Sequence, residues 1–172
     1  MCDDAVVSTS STTPRRPSIT TRREVDTAGV PHWQPVRHRL ITMRRAIKQL
    51  EEFGPIEPEL LQRNSTAGLV AERILWLLDD QAFAINSHIA ATLTEGAPTT
   101  LRESFVAIVP TGMIDAELVP ILSPSGGAHN VQLQLCLDSA PEQVLSIVST
   151  ALIGYARYVD QVAEWTSDPA FT

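Results

Sequence analysis

The chain has few of the residues that mark secreted, metal-binding or membrane-spanning proteins. It contains two cysteines among its 172 residues, Cys2 and Cys136. Two lone thiols build neither a disulfide framework nor a metal-ligand spacing, and they favour a reducing cytoplasm over secretion. The longest stretch without a charged residue, 118–137, contains Pro120 and Pro124, so it cannot form a lipid-facing helix. We therefore expect a soluble cytoplasmic protein that needs no metal or cofactor.

Positive charge is also scarce. The sequence has 13 basic and 20 acidic residues, for a formal net charge of −7. An acidic balance argues against general nucleic-acid binding, which depends on basic surface to displace counterions from phosphates. The region 36–63 is the only part with a basic surplus. A local basic site on that region is not excluded.

The composition divides the chain into three parts. Residues 1–35 are rich in Ser, Thr, Pro and Arg with few large apolar residues, which predicts a disordered tail. Residues 36–167 carry the apolar patterns and are long enough for one domain with its own core. Residues 168–172 form a short C-terminal tail.

Apolar spacing within 36–167 predicts helices. A first helix starts at about residue 37, with Leu40, Met43, Ile47 and Leu50 on one side. A longer second helix follows, with Asn64 or Ser65 as its N-cap. Its expected apolar stripe consists of Val70, Ile74, Leu77, Leu78, Phe83, Ile85 and Ile89.

Further helices are predicted in the second half of the domain, where capping residues mark their N-termini. Thr100 and Glu103 have the spacing of a capping box before a third helix, in which Phe105 and Ile108 face inward. A short helix over 115–122 follows, with Asp115 as its expected cap. Ser139 and Glu142 predict a capping box for the last helix, with Pro141 at its first position. Only 131–137 alternates like a strand. The whole pattern predicts an all-α antiparallel, up-down helical bundle.

The order of these segments resembles the HepT-like family of the HEPN superfamily. ELLQRNSTAGLVAERILWLLDDQAFAINSHIAATL is similar to the second-helix region of that family. TLRESFVAIVPTGMIDAELVPIL resembles the helix–turn–helix that follows it. DSAPEQVLSIVSTALIGYARYVDQVAEWT resembles the closing helix. The resemblance covers about 37–166.

The resemblance implies a dimeric ribonuclease toxin that is encoded beside a small MNT-type nucleotidyltransferase antitoxin. The family signature is Arg, four to six residues, His, any residue and Tyr. A His can move a proton of the ribose hydroxyl, and an Arg can neutralise the charge that develops on the phosphate. The antitoxin modifies the family Tyr with AMP.

In this chain the signature is incomplete. His129 matches the family His, but the three positions open to the Arg hold Leu122, Ser123 and Pro124, and the Tyr position holds Val131. The sequence therefore favours a HepT-like component whose nuclease is lost or weakened and which acts as a dimeric protein-binding module. The alternative is a metal-independent ribonuclease that uses His129 and a relocated arginine, such as Arg102 or Arg73. RNA is a partner only under that alternative.

Several other side chains have a structural and a functional interpretation. His88 is expected to make a packing or hydrogen-bond contact near the bundle or dimer face. The basic residues of the first helix suggest either a solvated face or an RNA-facing strip (Arg39, Arg44, Arg45 and Lys48). Asp79 and Asp80 are expected on a solvated face, with pairing to Arg73 or to a partner's basic surface as the alternatives. The aromatic residues of the helices are expected to be core or interface anchors (Trp76, Trp165 and Tyr155).

Overall fold

Five helices make up the regular structure of the described residues in the computed structural model. The structure describes residues 33–52, 65–94, 96–123 and 140–167, and no strand occurs within these ranges. The helices are α1 (Gln34–Glu52), α2 (Thr66–Leu93), α3 (Leu101–Ile108), α4 (Leu118–Leu122) and α5 (Pro141–Trp165). The predicted all-α helical bundle is confirmed. None of the helices in these ranges is long and apolar enough to cross a membrane.

α1 begins at Gln34, slightly before the expected start near residue 37. Trp33 precedes it and is buried, because its indole packs against the indole of Trp165 with ring centroids 5.2 Å apart. Pro35 occupies the first turn, where a missing N–H removes no helical hydrogen bond. Trp33 therefore belongs to the core of the bundle. The predicted tails lie almost wholly outside the described residues, and their division from the bundle stays a prediction.

Local capping signals set the starts of α2 and α3 as predicted. The Ser65 hydroxyl accepts a 2.9 Å hydrogen bond from the Gly68 backbone N–H, so Ser65 is the N-cap of α2. Thr100 and Glu103 form the predicted capping box at the start of α3. α3 passes into a 3₁₀ turn over Val109–Thr111, which ends at Gly112 with a φ of 72°. That left-handed conformation suits glycine, which lacks a Cβ.

Two predicted caps are wrong. α4 begins at Leu118 without a side-chain cap, since the Asp115 side chain accepts a hydrogen bond from Gln161 of α5 instead. α5 begins at Pro141 as predicted, but its N-cap is Ala140, which has no side-chain oxygen to accept a hydrogen bond from the first turn. Ser139, the predicted cap, lies outside the described residues. The Asp115 error arises because the spacing of polar residues does not determine which of them contacts a neighbouring helix.

Hydrogen bonds and ring contacts between helices give their directions. Trp33 contacts His88, and Arg39 donates to Gln81, so α1 and α2 are antiparallel. α2 and α5 are parallel, because α5 contacts α2 through Tyr155–Asp79 and then Tyr158–Asn86. One continuous core lies between these helices. Its largest fully buried side chains include Tyr155, Tyr158, Phe105, Met43 and Leu78.

Candidate functional site

The candidate nuclease residue His129 lies outside the described residues. The same holds for Pro124 and Val131 of the broken signature, and for the predicted strand over 131–137. The structure describes the backbone up to Ser123, six positions before His129, and resumes at residue 140. The candidate site is therefore built from the residues that approach this segment.

Two of the three positions open to the family arginine face the interior of the bundle. Leu122 is 4% exposed and Ser123 is 2% exposed. The Ser123 hydroxyl donates a 2.8 Å hydrogen bond to the Val119 carbonyl, one helical turn earlier. Because both side chains are buried, neither position presents a side chain to solvent at the end of α4.

The Arg102 side chain, on α3, contacts the backbone at Ser123. Its guanidinium donates a 3.2 Å hydrogen bond to the Ser123 carbonyl oxygen, and the residue is otherwise exposed. The other candidate replacement, Arg73, stacks over the Trp76 ring at 4.5 Å from the centroid. Of the two arginines, Arg102 is the one placed beside the backbone that leads to His129.

His88 makes the packing contact that the sequence suggested. Its imidazole meets the Trp33 indole edge-on, with ring centroids 6.2 Å apart. Its Nε2 atom is buried and has no hydrogen-bond partner among the described residues. Trp33 also contacts Trp165, so His88 belongs to an aromatic cluster that joins the start of α1 to the end of α5.

The basic residues of α1 are largely paired within the protein. Arg44 lies 3.3 Å from Asp160, and Lys48 lies 3.7 Å from Glu52, with all four side chains mostly exposed. Arg39 donates a 3.0 Å hydrogen bond to Gln81 at the edge of an open groove of about 750 Å³. Exposed ion pairs of this kind are typical of a solvated face.

Sequence reasoning missed the polar contacts inside the bundle. Asp79 was expected on a solvated face, but its carboxylate accepts a hydrogen bond from the buried Tyr155 hydroxyl. Burial, and then the nearby Asp79 charge, raises the pKa of Tyr155 well above its usual value. Deeper in the core, Tyr158 donates to Asn86 at 2.7 Å, and Asn86 donates to Ser104 at 3.1 Å.

A sequence signal for this network does exist. Asp79 and Asn86 are seven residues apart on α2, and Tyr155 and Tyr158 are three apart on α5, so each pair lies on one helix face. The apolar spacing of α2 by itself predicts inner positions that do not include Asp79 or Asn86. One of them, Phe83, is only half-buried and does not belong to the core cluster. Within the described ranges, no three acidic, His or Cys residues are grouped to hold a metal ion.

The side of α2 that faces away from the core carries exposed apolar residues. Leu69 is 57% exposed and Trp76 is 47% exposed. Two charged residues are exposed on the same side: Arg73, between Leu69 and Trp76 in the sequence, and Asp80, one turn after Trp76. Large exposed apolar side chains that share one helix face are typical of an interaction surface.

Comparison with known proteins shows to which family the chain is similar. The chain is 30% identical over 127 residues to the tRNA nuclease HepT of Aphanizomenon flos-aquae (strain 2012/KM1/D3), which covers 74% of this chain and 86% of that protein. No family model matches the sequence.

Solved structures give the same fold. A mutant of the toxin-antitoxin MntA-HpeT has a TM-score of 0.62 at 19% identity, over 76% of this chain and 98% of that one. The tri-AMPylated Shewanella oneidensis HEPN toxin in complex with MNT antitoxin has a TM-score of 0.64 at 18% identity, with the same coverage. Together with the curated relative, the fold confirms the resemblance drawn from the sequence: the chain belongs to the HepT-like family of the HEPN superfamily.

Proposed function

We propose that this chain is the HepT-like component of a toxin–antitoxin pair and that its partner is an MNT-type nucleotidyltransferase antitoxin. The curated relative is a tRNA nuclease HepT, and the similar solved structures are toxins in complex with an antitoxin. Most of the described chain takes part in these likenesses. The cytoplasm is the proposed location, because two lone cysteines suit a reducing compartment.

The proposed mode of action is protein contact by a homodimer, with the nuclease lost or weakened and no cofactor required. The observation that carries this proposal is the inward orientation of Leu122 and Ser123, where the family has its arginine. Loss of one electrostatic donor to a transition state typically slows catalysis by about 100–1000-fold. Val131 also removes the hydroxyl to which the family antitoxin attaches AMP. Regulation of this member then depends on binding rather than on that modification.

A second function is favoured by one contact. The Arg102 guanidinium lies 3.2 Å from the Ser123 carbonyl, beside the backbone that leads to His129. An arginine there is suitably charged to stabilise a phosphate transition state, with the His129 imidazole moving the proton. Under this alternative the chain is a metal-independent ribonuclease toxin, and tRNA is the first substrate to test because the curated relative is a tRNA nuclease.

Binding and cleavage are tested separately. The chain and a nucleotidyltransferase encoded beside it are co-expressed, with an affinity tag on one of them, and the complex is isolated. We expect a stable complex from the wild type and equally from His129→Ala. Failure of the two proteins to associate at micromolar concentration would sink the binding function.

The nuclease alternative is tested by inducing the chain alone in a bacterial host and following growth and tRNA integrity. The proposed function predicts no RNA cleavage by the wild type. The alternative predicts cleavage that is lost in His129→Ala and reduced in Arg102→Gln, but retained in Arg157→Gln. Arg157 is the matched control because it is an exposed arginine that pairs with Asp115 at 3.7 Å, on another part of the bundle.

A further inference from the structure

An open groove lies on the surface where α1 packs beside α2. Its volume of about 750 Å³ is within the range of about 300–1,000 Å³ that is typical of small-molecule sites. We name it the α1–α2 groove and define it by six of its lining residues, which are Pro35, Arg37, His38, Arg39, Ile41 and Gln81. The candidate nuclease site, by contrast, is approached by Arg102 of α3 at the end of α4. The groove is therefore a separate surface of the bundle.

Both arginines of the α1–α2 groove are bound to uncharged groups. Arg39 donates a 3.0 Å hydrogen bond to the side-chain oxygen of Gln81, and Arg37 donates a 3.2 Å hydrogen bond to the Thr166 carbonyl oxygen. The ion pairs among the described residues include neither of them. Because an uncharged partner leaves the charge of a guanidinium uncompensated, the groove carries positive charge on a chain that is acidic as a whole.

Gln81 holds the Arg39 side chain at the wall of the groove. The Gln81 oxygen accepts from Arg39, while its amide nitrogen donates a 3.0 Å hydrogen bond to the Asp80 carboxylate. The acidic neighbour is thus bound to the amide and not to the guanidinium. A guanidinium has five N–H donors, so the hydrogen bond to Gln81 leaves enough of them to bind two oxygens of one anion side by side.

The uncompensated charge does not continue along α1 as a strip. Of the three basic residues that follow on this helix, Arg44 and Lys48 are paired with carboxylates, and Arg45 does not line the groove. A long polyanion is bound through many phosphate contacts, which requires cationic groups at repeated intervals. A confined site instead suits one phosphate monoester, which carries a charge of about −1.5 to −2 near neutral pH.

We propose that the α1–α2 groove binds the terminal phosphate of a nucleotide. Arg39 is the principal phosphate ligand, and Arg37 adds positive charge. Ile41 is 50% exposed and lines the groove with Pro35, which gives the ribose or base an apolar surface and distinguishes a nucleotide from a bare phosphate ion. A terminal phosphate occurs on a free nucleotide and at the end of an RNA. This binding goes beyond the proposed function and does not depend on the antitoxin.

Calorimetric titration of the purified full chain tests the ligand. The probes are AMP, adenosine, and a short RNA oligonucleotide with and without a terminal phosphate, whose ribose hydroxyls are methylated so that it cannot be cleaved. We expect saturable binding of a phosphorylated probe and none of adenosine or the unphosphorylated oligonucleotide. Binding of AMP identifies a free nucleotide as a source, and binding of the phosphorylated oligonucleotide identifies an RNA end. Equal binding with and without the phosphate, or no binding at millimolar concentration, overturns the proposal.

Removal of one positive charge tests the site. Arg39→Gln is expected to raise the dissociation constant of the bound probe at least tenfold. Arg44→Gln is the matched control, since it removes the same charge from the same helix at an exposed residue that is paired with Asp160. Equal weakening by both variants would show a general effect of charge and would overturn the site.

Addition of one negative charge separates phosphate binding from a structural role of Arg39. Gln81→Glu keeps an oxygen that accepts from Arg39 but compensates the guanidinium charge, so we expect at least tenfold weaker binding by a chain that circular dichroism shows to be folded. Gln143→Glu is the control, because it adds the same charge at an exposed position of α5. Unchanged binding in Gln81→Glu overturns the site. Association with the nucleotidyltransferase is measured separately, and no result of these titrations decides it.

Discussion

Tyr158 of α5 donates a 2.7 Å hydrogen bond to the side-chain oxygen of Asn86 on α2, in the fully buried centre of the bundle. The Asn86 amide in turn donates to Ser104 of α3 at 3.1 Å. Three helices are therefore joined by polar groups inside a largely apolar core. A buried polar group without a hydrogen-bond partner raises the free energy of the folded state. This chain of hydrogen bonds therefore favours the alignment of the three helices in which all three side chains are paired.

Removal of the Tyr158 hydroxyl tests that alignment. Tyr158→Phe leaves the Asn86 oxygen without its donor, which costs about 1–3 kcal/mol for a buried group. We expect the free energy of unfolding, measured in urea by circular dichroism, to fall by about that amount. Val106→Ala is the control, since Val106 is an exposed residue of α3. An unchanged midpoint in Tyr158→Phe would show that the network does not stabilise the fold.

The raised pKa of Tyr155 predicts that the protein loses stability at alkaline pH. Burial and the Asp79 charge raise its pKa in the folded state, so the neutral hydroxyl favours folding. That contribution is complete below the ordinary tyrosine pKa of about 10 and is lost as the pH rises toward the raised folded-state value. Stability measured between about pH 9 and pH 12 should fall less steeply in Tyr155→Phe than in the wild type. Equal slopes would contradict the raised pKa.

The capping box of α3 predicts the opposite pH dependence. Hydrogen bonds from the Thr99 backbone, the Thr99 hydroxyl and then Thr100 lower the pKa of Glu103. Its contribution is therefore present above the ordinary glutamate pKa and is lost as the pH falls through the lower folded-state value. We expect Glu103→Gln to reduce stability at pH 7 and to flatten the acid limb of the stability curve. Glu142→Gln, an exposed glutamate in the first turn of α5, is the control.

Gly154 sets the close approach of α5 to α4. A Cβ at this position would lie 2.7 Å from methyl groups of both Ile121 and Leu122. Alanine normally stabilises a helix interior by about 1 kcal/mol relative to glycine, but overpacking a core typically costs about 1–3 kcal/mol. Since Leu122 is buried, we expect Gly154→Ala to destabilise the protein by urea unfolding. A stabilised variant would show that α4 moves away at little cost.

The parts of the fold that the sequence predicted are those set by neighbouring residues. The apolar spacing of α1, the Ser65 cap and the Thr100–Glu103 box each depend on residues within one or two turns. The contacts that define the site join residues far apart in the chain. Arg102 meets the Ser123 carbonyl, and Asp79 meets Tyr155, across 21 and 76 positions. No local sequence pattern determines which charged side chain contacts a residue so far away in the chain.

The sequence located the incomplete signature and offered Arg102 or Arg73 as a replacement arginine. In the structure the Arg102 guanidinium donates a hydrogen bond to the Ser123 carbonyl, and a catalytic role for either arginine stays a prediction. The sequence did not predict that Leu122 and Ser123 face inward, because side-chain direction at the end of α4 depends on packing against α5. The role of His129 itself stays a prediction.

The most direct test of the account is tRNA cleavage by the purified chain in the absence of its partner, in buffer containing a chelator. We expect the tRNA to stay intact with the wild type at micromolar concentration, as it does with His129→Ala. Cleavage by the wild type that disappears in His129→Ala would contradict a lost nuclease and assign the chain to the active ribonuclease toxins. Reduced cleavage in Arg102→Gln, with Arg157→Gln unaffected, would then identify the relocated arginine.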